Sequence, residues 1–224
     1  LGAGLRYTRE DKELDIAQTF NGFPTFDTDD VIALGTPVDR SFDNISPSAV
    51  VEFDFTSDVM GYASYTEGFK SGGWSTLLTG ADTTKAFDEE TVRAAEVGLK
   101  SELLDRRLRL NVSAFFNKYY DLQLEDVDEN GNFFATNVGA AEIKGVEIEA
   151  TAVLTDYLEL FGHYSFLDTE VTEGGTPGSG LDKGNELSNS PDGQWQIGFS
   201  LRPRLTSSGS WLIRGSWSHR GEYY

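Results

Sequence analysis

No cysteine occurs among the 224 residues, which excludes a disulfide scaffold, a cysteine-ligated zinc site and a cysteine nucleophile. Basic residues are scarce as well: 18 Lys plus Arg stand against 37 Asp plus Glu, a formal net charge of −19. Such a chain repels a phosphate backbone, so no nucleic-acid partner is expected. Histidine is rarer still, with only His163 and His219, both in strand-like segments. No Ser-His-Asp set, phosphate loop or HExxH helix accompanies them, so neither a catalytic residue nor an enzyme activity is expected, and no cofactor is implied. No run approaches the roughly twenty apolar residues of a membrane-spanning helix, and no segment has the spacing of an amphipathic helix.

What the chain does have is alternation. Leu108, Leu110, Val112, Ala114 and Phe116 interleave with Arg109, Asn111, Ser113 and Asn117, and Arg107 begins the polar series. Val146, Ile148, Ala150, Ala152 and Leu154 interleave with Glu147, Glu149 and Thr151. A period of two places each set on one side of a β-strand. Similar patterns predict strands over 2–8, 49–55, 59–66, 95–100, 158–167, 195–201 and 211–218, about nine in all.

The connections alternate too. Tight turns are expected at Ser57-Asp58, Asp105-Arg106 and Asp156-Tyr157, with a slightly longer one over 204–210. Long polar excursions separate them, over 9–48, 67–91, 120–142 and 168–191. In an antiparallel up-and-down sheet this puts every short turn at one end and every large loop at the other. Transmembrane barrels are built this way, with an outward apolar band about 25 Å tall that roughly ten-residue tilted strands can cross. In lipid only a closed barrel satisfies a sheet's backbone. Arg107, Arg109, Lys100, Glu147 and Glu149 are then expected to face a wet interior. Phe116, Tyr119, Tyr120, Tyr157, Tyr164, Trp195, Trp211, Trp217, Tyr223 and Tyr224 are candidates for interfacial girdles.

Period alone is equally compatible with a secreted β-sandwich that binds glycans through its loops, and the barrel reading leaves a passive porin or an outer-membrane enzyme open. Both ends of the chain read as strand, so the expectation is a barrel segment of about nine to eleven strands rather than a whole barrel.

Several longer stretches carry a family likeness. NISPSAVVEFDFTSDVMGYASYTEGFKSGGW over 44–74 and TVRAAEVGLKSELLDRRLRLNVSAFFNKYYDLQL over 91–124 are two hairpins. NVGAAEIKGVEIEA, LFGHYSFLDTEV, LSNSPDGQWQIGFSL and the final HRGEYY follow in order. Together they resemble the β-barrel of a TonB-dependent outer-membrane receptor, over nearly the whole chain. The resemblance implies a 22-stranded barrel with a plugged lumen, located in the bacterial outer membrane. It also implies import of a scarce nutrient, a ferric siderophore first, otherwise haem, cobalamin or an oligosaccharide. Energy would come from the TonB-ExbB-ExbD complex acting on a plug. On this resemblance the plug and the last strands are expected to lie outside these 224 residues. Residues 1–224 are expected to be one partial barrel domain bordered by outer-membrane lipid.

For a site, Phe69, Lys70, Trp74, Tyr119, Tyr120, Phe133 and Phe134 lie at the loop end and could line a ligand vestibule. Lys70 and Trp74 are the chosen ligand-binding candidates, one to pair with an acidic ligand and one to stack on it. Asp126, Asp128, Asn130 and Gly131 match the first half of a calcium loop, but Asn137 replaces its closing Glu, so a hairpin tip and no metal is expected. Asp27, Asp29 and Asp30 are read as a solvated loop.

Overall fold

The computed structural model describes residues 1–20, 23–75, 81, 84–127, 133–137, 139–174, 182–206 and 209–222. Nine strands form one sheet: β1 (Gly2–Glu13), β2 (Asp39–Thr56), β3 (Val59–Lys70), β4 (Glu90–Leu103), β5 (Leu108–Tyr120), β6 (Ala140–Thr155), β7 (Leu158–Glu173), β8 (Gly193–Leu201) and β9 (Ile213–Arg220). Their spatial order is their chain order, and every neighbouring pair is antiparallel. This is the predicted up-and-down meander, with β1 and β9 at its edges.

Register carries the alternation from strand to strand. Val97, Ala114, Val146 and Phe166 stand opposite one another on β4 to β7, and Leu99, Val112, Ile148 and Tyr164 form the next row. The opposite face has Lys100, Asn111, Glu149, His163, Gln196 and Ser218 in one row across six strands. A slip of one residue would exchange the two faces, so the pattern itself fixes the pairing.

The apolar face has no cover. Phe53 is 63% exposed, Val97 57% and Ile197 55%. Among the described residues the buried apolar side chains are Phe26, Val31, Phe42, Ala140, Ala141 and Val171, all at the long-connection end. A β-sandwich requires a dry layer between two sheets; among the described residues no second sheet packs on the apolar face of this one, and the four small two-stranded sheets lie in its connections. A wall with an apolar side and a polar side is what a bilayer-spanning barrel needs.

Within the polar face, close contacts explain individual glycines. A Cβ on Gly98 would lie 2.4 Å from the Tyr62 ring directly opposite, and one on Gly145 would lie 2.4 Å from the Phe115 ring. Each aromatic ring lies across the neighbouring glycine rather than standing into the lumen.

The strands run further than the alternation shows. Past the apolar rows the same face turns charged: Arg9 stands opposite Asp43, and Glu67, Arg93, Lys118 and Glu142 form a row. Arg93 pairs with Glu67 at 3.5 Å and Lys118 with Glu142 at 3.0 Å. Ladder pairing continues through this wet zone, so the loops are shorter than expected: 14–38, 71–89, 121–139 and 174–192. The expectation of no helix is also corrected, because residues 28–33 form a short one. Asp27 caps it by accepting from the Asp29 and Asp30 amides, while Asp30 accepts from the Asp27 amide, a reciprocal capping box that accounts for these acids. Arg107, expected in the lumen, lies in a turn and donates to the Val153 and Leu154 carbonyls at 3.0 and 2.6 Å.

Candidate ligand-binding mouth

At the long-connection end, three of the loops are tied into one roof by side chains that satisfy backbone groups. Asn137 donates to the carbonyls of Asp121 and Asp88 at 2.7 and 3.0 Å and accepts from the Asp88 amide at 2.6 Å. Gln123 donates to the carbonyls of Ser71 and Asp88 at 3.1 and 2.9 Å, while its own amide donates to Glu90 at 2.7 Å. Arg40 reaches from β2 to the Phe87 carbonyl at 2.5 Å and pairs with Asp88. Thr36 donates to the Thr84 carbonyl at 3.1 Å, joining the first loop to the second. Each neutral bond contributes about 1 kcal/mol and each bond to a charged group somewhat more, and an unmade one in a half-buried place costs at least as much.

The roof rests on Phe42, which is buried beneath it on β2. The Arg40 guanidinium lies 4.8 Å from the Phe42 ring centre and the Lys12 ammonium 5.7 Å. Lys12 also donates to Ser71 Oγ and the Gly72 carbonyl at 2.5 and 2.9 Å, and Ser71 donates to Glu10 at 2.7 Å. Glu10 lies above the apolar rows, outside the membrane-spanning part of β1. The Ser71 hydroxyl holds its carboxyl below the usual range.

Lys70 and Trp74 sit close in sequence but do different things. Lys70 ends β3 on the polar face, opposite Glu90, with an exposed side chain that makes no ion pair among the described residues. Its carboxylate neighbour Glu90 is occupied by the Gln123 amide. Trp74 is half-buried and donates Nε1 to the Pro37 carbonyl at 2.6 Å, so its polar end braces the first loop against the second. Tyr119 faces the lumen side with Lys70. Phe69 and Tyr120 do not: register puts them on the opposite face, where Tyr120 lies between the Arg93 guanidinium at 5.2 Å and the Lys118 ammonium at 5.6 Å. That removes both from the vestibule, because one residue of parity changes which side of the wall a ring sees.

Residues 123–127 and 133–137 pair as a hairpin, as expected; the tip carrying Asp128, Asn130 and Gly131 lies outside the described residues, as do Tyr223 and Tyr224. Asn137 is a brace. Among the described residues no group of three or more His, Asp or Glu side chains is placed to hold a metal ion. His163 stands in the polar row between Glu149 and Gln196, and His219 lies 5.8 Å from Trp195 on the apolar face.

A single wall with one apolar and one polar face, short turns at one end and braced loops at the other, defines an outer-membrane β-barrel. The chain belongs to a particular family of these: residues 1–224 match the TonB dependent receptor-like β-barrel family throughout. It is 32% identical over 146 residues to the metal-pseudopaline receptor CntO of Pseudomonas aeruginosa, covering 65% of this chain and 19% of that protein. It is 32% identical over 134 residues to the ferric-pyoverdine 358 receptor of Pseudomonas putida, covering 58% of this chain and 16% of that one. Among solved structures, the ferric yersiniabactin uptake receptor FyuA of Yersinia pestis superposes with a TM-score of 0.77 at 20% identity, covering 99% of this chain and 31% of FyuA. The chain thus spans about a fifth of the length of these curated relatives. Members of the family are transporters and receptors of the Gram-negative outer membrane, not enzymes.

Proposed function

We propose that this chain is the wall and part of the mouth of a receptor that imports a metal chelate, a ferric siderophore first, across the outer membrane. In this reading the remaining strands and a plug complete the barrel outside these 224 residues, and the TonB complex drives the plug. The observation that carries it is the combination of a polar inner face with a braced roof that, among the described residues, leaves the Lys70 ammonium at the barrel mouth without an ion pair. Relatives named for metal-pseudopaline and ferric pyoverdine support a chelate over haem, cobalamin or a sugar. An unpaired cation suits an anionic chelate, while the bracing of the three loops limits the ordering cost of binding. Trp74 offers its ring to the same cargo while its Nε1 holds Pro37.

The test uses the full-length receptor as the sole outer-membrane receptor in cells given radiolabelled ferric siderophores. Saturable uptake that stops when the proton gradient is collapsed supports the reading. Uptake that continues after collapse contradicts it and favours a passive porin. Lys70→Gln should weaken binding of an anionic chelate about fivefold, the equivalent of roughly 1 kcal/mol for a half-solvated ion pair. The Kd measured by tryptophan quenching checks this.

A further inference from the structure

The apolar face is not uniformly filled. Over β6 to β9 it holds a hollow of about 730 Å³, floored by Ala150, Ala152 and Gly162 and walled by Leu160, Ile197 and Trp217. The cause is a local run of small residues. Ala150, Gly162, Ile197 and Trp217 stand in one row across four strands, and Ala152 and Leu160 begin the row beneath. Elsewhere the same face carries Val97, Leu99, Val112 and Phe116. The floor is tight as well as small: a Cβ on Gly162 would lie 3.1 Å from the Gln196 carbonyl and 3.4 Å from Ile197.

Depth in the bilayer identifies what covers it. The hollow occupies the second and third apolar rows from the short-turn end, next to the Asp156-Tyr157 turn. Tyr157 and Trp211, 53% and 62% exposed, lie at that end and are suited to the periplasmic headgroup level. The hollow therefore falls in the acyl layer of the periplasmic leaflet. At the same end stand the Arg107 guanidinium, beside the last residues of β6, and exposed Arg202, whose amide donates to the Tyr157 carbonyl at 2.7 Å. Asp156 is the acid of the adjoining turn.

We infer that this hollow seats one acyl chain of a diacyl glycerophospholipid of the periplasmic leaflet, whose phosphate is drawn to Arg107 and Arg202. The straight chain fills space that a flat wall would leave to mobile lipid. The phosphodiester suits the Arg107 guanidinium and Arg202 at that rim.

The experiment uses the full-length receptor in nanodiscs of phosphatidylethanolamine and phosphatidylglycerol, released into mild detergent and weighed by native mass spectrometry. Ala150→Phe fills the hollow from an outward position. Ala114→Phe makes the same enlargement on β5, on the same face but outside it. The wild-type receptor and Ala114→Phe should retain phospholipid, and Ala150→Phe should retain about tenfold less, the equivalent of about two buried methylenes. Arg107→Gln combined with Arg202→Gln leaves the hollow untouched and should lower retention of phosphatidylglycerol more than that of phosphatidylethanolamine. Equal retention by Ala150→Phe and Ala114→Phe, with both showing the heat-modifiable mobility of a folded barrel, overturns the proposal. So does a wild-type dimer that Ala150→Phe disperses, since a second copy of the chain would then be the occupant.

Discussion

The sheet and the roof above it are held together by opposite means. In the wall, backbone pairs with backbone along ladders of up to 15 residue pairs between β6 and β7, and side chains only decide which face meets which solvent. In the roof, side chains of Asn137, Gln123 and Arg40 do the pairing, and they satisfy backbone groups of other loops. The wall is thus robust to exchange of one side chain for another of like polarity. The roof depends on a few specific amides.

The largest effect should come from reversing polarity on one face of the wall. Val97→Arg, on the apolar side, should destabilise the full-length receptor in lipid vesicles by about 2–4 kcal/mol, as a cation does in the middle of the apolar band. Asn111→Arg, on the polar side, should change little; urea unfolding monitored by tryptophan emission separates them. Next in size is the cross-strand contact at Gly98. Gly98→Ala forces the Tyr62 ring off the wall and should cost about 1–3 kcal/mol. The same change in a Tyr62→Ala background should cost much less, so a double-mutant cycle reads the contact directly.

In the roof, Asn137→Ala removes three hydrogen bonds at a partly exposed position and should cost about 1 kcal/mol. Its signature is location: hydrogen exchange should accelerate at 88 and 121–123 while the ladders of β4 and β5 stay protected. The smallest change concerns the β4–β5 turn, where Leu104 adopts a φ of 55° that favours glycine. Leu104→Gly should stabilise by about 0.5 kcal/mol, relief of left-handed strain partly offset by glycine's greater unfolded-state freedom. A small rise in the urea midpoint checks it.

The same contrast explains what could be read from the sequence. The nine strands were legible because each face of the wall has one solvent, and the resulting period is written in successive residues such as 108–117. Their ends were not, because β2 begins at Asp39, ten residues before the alternation at Ala49, in a zone where both faces are wet. The helix over 28–33 was missed because six residues are too few for periodicity, although the Asp27–Asp30 spacing of its capping box was visible. Lys70 is expected at the loop end as a charged residue in the GFKSGG run, and register places it at the end of β3 on the polar face. The braces left no trace, since Asn137 and Gln123 act on Asp88 from 49 and 35 residues away. Phe69 and Tyr120 fall on the other face for a simpler reason: near a strand end, aromatic character does not reveal parity.

The claim on which everything else rests is that alternate residues of these strands meet hydrocarbon and water. These 224 residues contain no cysteine, so it is directly measurable with single cysteines placed in turn along β5 of the full-length receptor, any cysteine outside the 224 residues being replaced first, spin-labelled in vesicles, and their collision rates measured with oxygen and with a water-soluble nickel chelate. The account predicts a strict period of two, with oxygen favoured at 110, 112, 114 and 116 and nickel favoured at 109, 111, 113 and 117. Loss of that alternation, or exclusion of both reagents from the apolar positions, would contradict it.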